Sequence, residues 1–214
     1  MKSNNLLILC VLLVLLSSNL VVYSQQTSGY SETDKKVNAF LKSYSGRRYF
    51  NVPPKDGQLL HDLIIKNNYK QALEIGTSTG ISTIWMAWAL SKTGGKLITI
   101  EINETRYRQA IKNIEEAGLS EYVDARLGDA HKLVPELEGP FDFVFSDADK
   151  GWYKNYFRAI SPKLMPGGCF TSHNVSGATG YLGDYYNFLK DLPDYRTTVD
   201  NRGAGMAISY KKKE

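Results

Sequence analysis

Apolar and polar residues recur along the chain in two rhythms, and each change of rhythm marks an element. Val37, Phe40, Leu41 and Tyr44 fall at helical spacing, with Ser31 or Thr33 placed to cap the helix. Asn51-Val52-Pro53-Pro54 breaks the chain, and Asp56 is then placed to cap a second helix whose buried stripe is Leu59, Leu60, Leu63 and Ile64. Short apolar runs beyond it predict strands over residues 72–75, 96–100, 123–126, 141–145 and, after the Met165-Pro166-Gly167-Gly168 turn, 169–172. Helical spacing between them predicts helices over 81–90, 105–117 (ended by Gly118) and 153–160. Strands alternating with helices of this length form a parallel sheet with helices on both faces. The rhythm then changes: a helix around Tyr185 to Leu189 precedes two strands, 196–199 and 206–210, joined through Gly203-Ala204-Gly205, which predicts an antiparallel finish to the sheet.

One run belongs to neither rhythm. Lys2 is followed by Leu6 to Leu16, almost purely Leu, Ile and Val, and then by Ser17, Ser18 and Asn19, the layout of a secretory signal peptide with cleavage before Gln25. The apolar stretch continues through Leu20, Val21 and Val22, so an uncleaved membrane anchor is the alternative. The chain therefore divides into an export or anchor segment (1–24), a polar linker with a helical arm (25–50) and one domain (51–214), in an exported or membrane-anchored protein. Contact with a membrane is expected only if the first segment stays attached. Cleavage would leave Cys169 as the only cysteine, because the other, Cys10, lies in the apolar run; the fold must then be held without an intrachain disulfide. With 22% charged and 43% hydrophobic residues the chain can build a core. The net charge of +4 is mild, and Lys211, Lys212 and Lys213 in the tail supply much of it, so no nucleic-acid partner is expected.

On such a sheet ligands bind at the carboxyl ends of the strands, beginning with the first strand-to-helix turn. Here that turn reads Leu73-Glu74-Ile75-Gly76-Thr77-Ser78-Thr79-Gly80-Ile81-Ser82. Gly76 permits a sharp turn and close approach to a ligand, and Gly80 opens the following helix. Ser78 and Ile81 stand where the dinucleotide fingerprint needs glycine, which disfavours a nicotinamide-dependent reductase. The next strand ends in Glu101, a carboxylate suited to accept from the two hydroxyls of a ribose. Loop and acid together predict a nucleoside-containing ligand.

These segments resemble the catechol and caffeoyl-CoA O-methyltransferases over roughly Phe50 to Tyr210. Residues 51–58, with Val52 and the Gly57-Gln58 pair, are similar to the segment that lies against the methionine part of S-adenosylmethionine, and 97–103 to the ribose-binding strand end. The resemblance implies a Rossmann-like doubly wound, mostly parallel seven-stranded sheet with an antiparallel C-terminal strand, and a homodimer. It implies that Gly76 belongs to the cofactor loop, that Glu74 and Ser82 help hold the amino-acid portion, that Glu101 holds the ribose, and that Asp129, Ala130 and His131 close over the adenine. Phe145-Ser146-Asp147-Ala148-Asp149-Lys150 resembles the family's Asp-Ala-Asp-Lys element. By position, Asp147 is then a metal ligand on the acceptor side, Asp149 meets the cofactor's amino group, and Lys150 acts beside the acceptor hydroxyl. A carboxylate-held cation would bind the acceptor oxygens and lower a hydroxyl's pKa.

The pattern departs from the family at Ser172-His173-Asn174, where the family has Asp-Asn as its remaining metal ligands. Asn174 keeps its oxygen; His173 substitutes a neutral nitrogen, which would move preference from magnesium or calcium toward manganese, zinc or iron. The reading is thus methyl transfer from S-adenosylmethionine to a hydroxyl of a small phenolic or catechol-like acceptor, with a divalent metal (magnesium, manganese or zinc) bound by Asp147, His173 and Asn174. A binding protein that keeps the nucleoside pocket without catalysis is the alternative, and O-methylation of a modified RNA base a further one. Tyr181, Tyr185 and Tyr186 either stack on a planar acceptor or pack a core.

Overall fold

Ala72, Phe143 and Phe145 point to one face of a sheet and Leu73 and Val144 to the other, and the two sets join different apolar cores. The computed structural model describes residues 31–44, 51–175, 177 and 180–213. The predicted export segment and the start of the linker lie outside these residues. Among those described, no helix is long and apolar enough to cross a membrane.

The elements in order are α1 (Glu32–Tyr44), α2 (Pro54–Asn67), β1 (Gln71–Ile75), α3 (Ile81–Thr93), β2 (Lys96–Glu101), α4 (Glu104–Glu116), β3 (Val123–Leu127), α5 (Ala130–Glu136), β4 (Phe141–Ser146), α6 (Tyr153–Ile160), β5 (Leu164–His173), α7 (Gly180–Lys190), β6 (Tyr195–Asp200) and β7 (Met206–Lys211). The strands form one sheet in the order β3-β2-β1-β4-β5-β7-β6. The first five pair in parallel, and β7 runs antiparallel to both β5 and β6. This is the expected architecture, down to the antiparallel C-terminal strand.

One core packs α1 to α4 on the sheet through Val37, Leu60, Ile64, Ile84, Leu90 and Ile114; the other packs α5, α6 and α7 through Val134, Phe157, Ile160 and Leu189. The α1 helix is built into the first core rather than standing off it as an arm. Asp34 on it accepts from Trp88 Nε1 and pairs with Lys92, both at 2.6 Å.

Two expectations change. Asp56 does not cap α2: Pro53 holds the cap position and Pro54 the first helical one, where its fixed φ and missing N–H suit a helix start. The Asp56 carboxylate is left free to point elsewhere. The seven-residue α5, interrupted by Pro135, carries too short an apolar stripe to read as a helix from spacing alone.

Strand order reverses between β1 and β4, so the connections leaving their paired carboxyl ends run to opposite faces of the sheet and leave a crevice. The loops after β1, β2, β4 and β5 open onto it.

Candidate active site

The crevice holds a cavity of about 730 Å³, lined by residues from all four loops and from the start of α2. Gly76 at φ +103° lets the β1 loop lie against the backbone after β4; a Cβ there would come within 3.0 Å of the Asp147 carbonyl oxygen.

On one wall Glu101, at the end of β2, is only 5% exposed, and both its oxygens are fixed by backbone donors. Ser78 N–H donates to Oε2 at 2.7 Å and Asn103 N–H to Oε1 at 2.9 Å. Each oxygen retains a lone pair for a further donor, and two vicinal hydroxyls match that pair. Beside it Ile102, 68% exposed, offers an apolar surface to the cavity. Asn51 Nδ2 and Ser78 Oγ are buried, have no hydrogen-bond partner among the described residues, and belong to residues lining the same cavity. Buried polar atoms rarely stay unpaired, so these two are positioned for a polar ligand. Asp129 caps α5 through His131 N–H at 2.9 Å, and the His131 ring stacks on Trp152 with its Nε2 3.3 Å from Asp149 Oδ2.

Of the residues expected to meet the cofactor, Gly76, Ser82, Glu101, Asp129, Ala130, His131 and Asp149 line the cavity. Val52 and Glu74 do not. The Val52 side chain joins the first core, and its neighbours Asn51 and Pro53 face the cavity. Glu74 is fully buried. Its Oε1 accepts from Ser82 Oγ at 2.5 Å, and its Oε2 from Thr83 Oγ1 at 2.5 Å and Thr99 Oγ1 at 2.6 Å. It reaches the ligand only through Ser82. Burial pushes the Glu74 carboxyl up to about 7, against the three hydroxyl hydrogen bonds that favour its charged form.

The opposite wall is built from four charged side chains. Asp147, following β4, accepts from Lys150 Nζ on Oδ1 at 3.1 Å, and its Oδ2 lies 3.0 Å from His173 Nδ1. The other ring nitrogen, Nε2, lies 2.8 Å from Asp56 Oδ2. Asp56 also accepts from Ala204 N–H at 2.9 Å. Burial alone would lower the His173 pKa, but the hydrogen bonds and charges of Asp147 and Asp56 raise it to about 9. Asn174, at φ +60°, turns the chain out of β5 and lines the cavity.

This arrangement does not fit the expected metal centre. A metal-bound imidazole must offer a lone pair, whereas both His173 nitrogens face carboxylate oxygens at hydrogen-bond distance. Among the described residues, no group of three or more His, Cys, Asp or Glu side chains is arranged to hold a metal ion. In this structure His173 is the partner of Asp56 and Asp147, and Asn174 lines the cavity beside it. Tyr185, one of the three aromatics left between stacking on an acceptor and packing, packs the core: it is buried against Tyr153 and Phe188 and hydrogen-bonded to Ser172.

Sequence reasoning missed Asn51, Ser78, Ile102, Arg106, Tyr156 and Ala204 as lining residues, and Asp56 behind them. An isoleucine directly after the strand-end acid, where a polar residue suits solvent better, was the signal available for Ile102. Nothing local marked Asp56.

A sheet in this order, closed by an antiparallel strand and carrying its cavity at the β1/β4 reversal with an acid at the end of β2, defines a class I S-adenosylmethionine-dependent methyltransferase. Comparison with known proteins specifies the class further. The O-methyltransferase family model matches residues 27–178. A catechol O-methyltransferase of Niastella koreensis is 41% identical over 157 residues, covering 72% of this chain and 71% of the relative. A caffeoyl-CoA O-methyltransferase of Eucalyptus gunnii is 31% identical over 170 residues, 76% of this chain and 68% of the relative. The crystal structure of an O-methyltransferase from Bacillus cereus in complex with SAH superposes with a TM-score of 0.70 at 26% identity, over 92% of this chain and 97% of that one. The chain belongs to the O-methyltransferase family.

Proposed function

We propose that this protein transfers a methyl group from S-adenosylmethionine to a hydroxyl of a small catechol- or caffeoyl-like phenol. The observation that carries the reading is the Glu101 wall: a carboxylate held by two backbone donors, with the unpartnered Asn51 Nδ2 and Ser78 Oγ alongside, fits a ribose and the polar end of that cofactor. When bound, the cofactor supplies an electrophilic methyl group on a sulfonium sulfur. Glu101 binds the ribose hydroxyls, Ile102 lies against the base, and Asp149, on the loop after β4, is available to the amino group. Across the cavity, Asp147 holds the Lys150 ammonium at 3.1 Å, where its charge stabilises the negative charge that grows on an acceptor oxygen as the hydroxyl proton leaves to solvent. The acceptor oxygen forms the new C–O bond as the methyl's bond to sulfur breaks, and the sulfur retains that bonding pair. The names of the relatives, catechol and caffeoyl-CoA O-methyltransferase, support the acceptor class.

The test is calorimetric titration with S-adenosylmethionine, followed by chromatography of a catechol incubated with protein and cofactor. Saturable binding and a methyl ether are expected. Binding without any ether would favour the non-catalytic binding protein instead.

We also propose that residues 1–24 export the chain, on the strength of the Lys2, Leu6-to-Leu16 and Ser17-Ser18-Asn19 layout. Intact mass of protein from the native cell envelope should begin at Gln25; a mass that includes Met1 would favour an anchor.

A further inference from the structure

The acceptor wall is held together by a cation that the protein itself supplies. We propose that the His173 ring takes the place of the divalent cation which the family resemblance implies, linking Asp56 to Asp147, so that this chain holds its acceptor and transfers methyl with no bound metal. This rests on the methyltransferase reading above.

Three observations carry it. The two ring nitrogens face two different carboxylates, Asp147 at 3.0 Å and Asp56 at 2.8 Å. Carboxylate oxygens only accept, so the ring donates from both nitrogens and carries a positive charge, with no lone pair left for a metal. Second, the inner pair is buried: the His173 side chain is 4% exposed and that of Asp56 1%, so water does not replace either partner there, while Asp147 and Lys150 face the cavity. Third, the charges already balance. Asp56 and Asp147 face His173 and Lys150, two anions against two cations, so the cluster has no excess negative charge to draw a divalent ion.

Asp56 is then a positioning residue, and the turn between β6 and β7 is shaped around it. Ala204 N–H donates to its Oδ2, and a Cβ on Gly203 would lie 1.8 Å from its Oδ1, closer than any side chain can come. Tyr153 Oη, donating to the His173 carbonyl oxygen at 3.1 Å, fixes the same residue from its backbone side. Two carboxylates from separate segments hold the imidazole, and the β6–β7 turn and Tyr153 fix Asp56 and the His173 backbone behind it, a construction that a ligand merely waiting for its metal does not need.

The experiment uses the full mature chain with S-adenosylhomocysteine bound and manganese(II) chloride as the probe. Manganese is titrated by calorimetry and by paramagnetic broadening of 15N-histidine signals, and His173→Asp is run in parallel. The wild type should give a flat isotherm, unbroadened His173 signals and two ring nitrogens with protonated-type shifts. His173→Asp, which puts back the family's acid, should bind manganese at least tenfold more tightly than the wild type. A one-to-one manganese isotherm in the wild type with selective loss of the His173 signals would overturn the proposal. So would a His173→Asp protein that binds manganese no better than the wild type. Cofactor binding is read in the same calorimeter, so a failed methyltransferase reading shows itself as absent S-adenosylhomocysteine binding, whatever manganese does. If His173→Asp does not fold, the wild-type isotherm and nitrogen shifts still decide.

Discussion

The two walls of the cavity use the same side-chain chemistry to opposite ends. On the Glu101 wall a carboxylate is fixed by backbone N–H groups and keeps lone pairs directed at the cavity, with Asn51 and Ser78 contributing polar atoms that no protein group answers. On the His173 wall Asp56 and Asp147 are joined through a ring whose donors are both in use. The first wall is incomplete without a ligand, and the second completes itself. The proposed function thus assigns cofactor affinity to unsatisfied groups and the reacting end to an internal ion cluster. Substitutions on the two walls should accordingly separate: the His173 wall should affect turnover and stability, the Glu101 wall binding.

The largest effect is expected at Lys150. Lys150→Ala should lower kcat by roughly 10²- to 10³-fold, the range for losing a group that stabilises charge at the reacting atoms, with cofactor affinity nearly unchanged. Equal losses in turnover and cofactor affinity, measured by steady-state kinetics and calorimetry, would break the division between the walls.

Next comes Asp56→Ala, which strands the His173 ring and the Ala204 N–H in a dry site. Breaking a buried pair from one side costs about 3 to 5 kcal/mol, which urea unfolding should register as a lower midpoint at unchanged slope. Asp56→Asn keeps an acceptor oxygen and should recover part of the loss. An unchanged midpoint in Asp56→Ala would mean that the cluster does not hold this end of the sheet.

Glu74 sits beneath the Glu101 wall, and its effect is on pH dependence. Its carboxyl is held at about 7 in the folded chain against an ordinary value of 4.5, so between those values the folded state keeps a proton that the unfolded state has lost. Stability from this group is full below pH 4.5 and declines as pH rises through 7, by at most about 3 kcal/mol at roughly 1.4 kcal/mol per pH unit. Glu74→Gln should remove that part of the slope in unfolding measured across the window; identical slopes in the two proteins would contradict it.

The smallest is Glu101→Ala, expected to weaken cofactor binding by about 2 to 3 kcal/mol, the scale of hydrogen bonds to a charged group. The fold should persist, and an unchanged calorimetric affinity would remove Glu101 from the ribose.

The same contrast explains what could be read from the sequence. Strands β1, β2, β4 and β5 were legible because each contains a short apolar run beside turn residues, β3 because Val123, Ala125 and Leu127 alternate with Asp124 and Arg126, and Glu101 because it follows such a run directly. The Glu101 wall is local: Ser78, Glu101 and Asn103 lie in the two loops that the pattern picks out. The His173 wall is not. Asp56 and His173 are 117 positions apart and meet only because α2 starts over the end of β5. Beside Pro53 and Pro54, Asp56 had the look of a cap. At a strand end, His173 had the look of a metal ligand, because residue type and position alone do not reveal that both ring nitrogens are already engaged. Residues 45–50, 176 and 178–179 lie outside the described residues, and their sequence follows neither periodicity, so the acceptor was legible only as a class.

The account is tested most directly by one product measurement: the protein, freed of metals with a chelator and kept in it, is incubated with S-adenosylmethionine and a catechol, and S-adenosylhomocysteine and methyl ether are quantified together. Equal amounts of the two products, formed at the same rate as without chelator, are predicted. Methyl transfer that stops in chelator and returns with manganese would contradict the His173 wall as drawn here, and no ether under either condition would contradict methyl transfer itself.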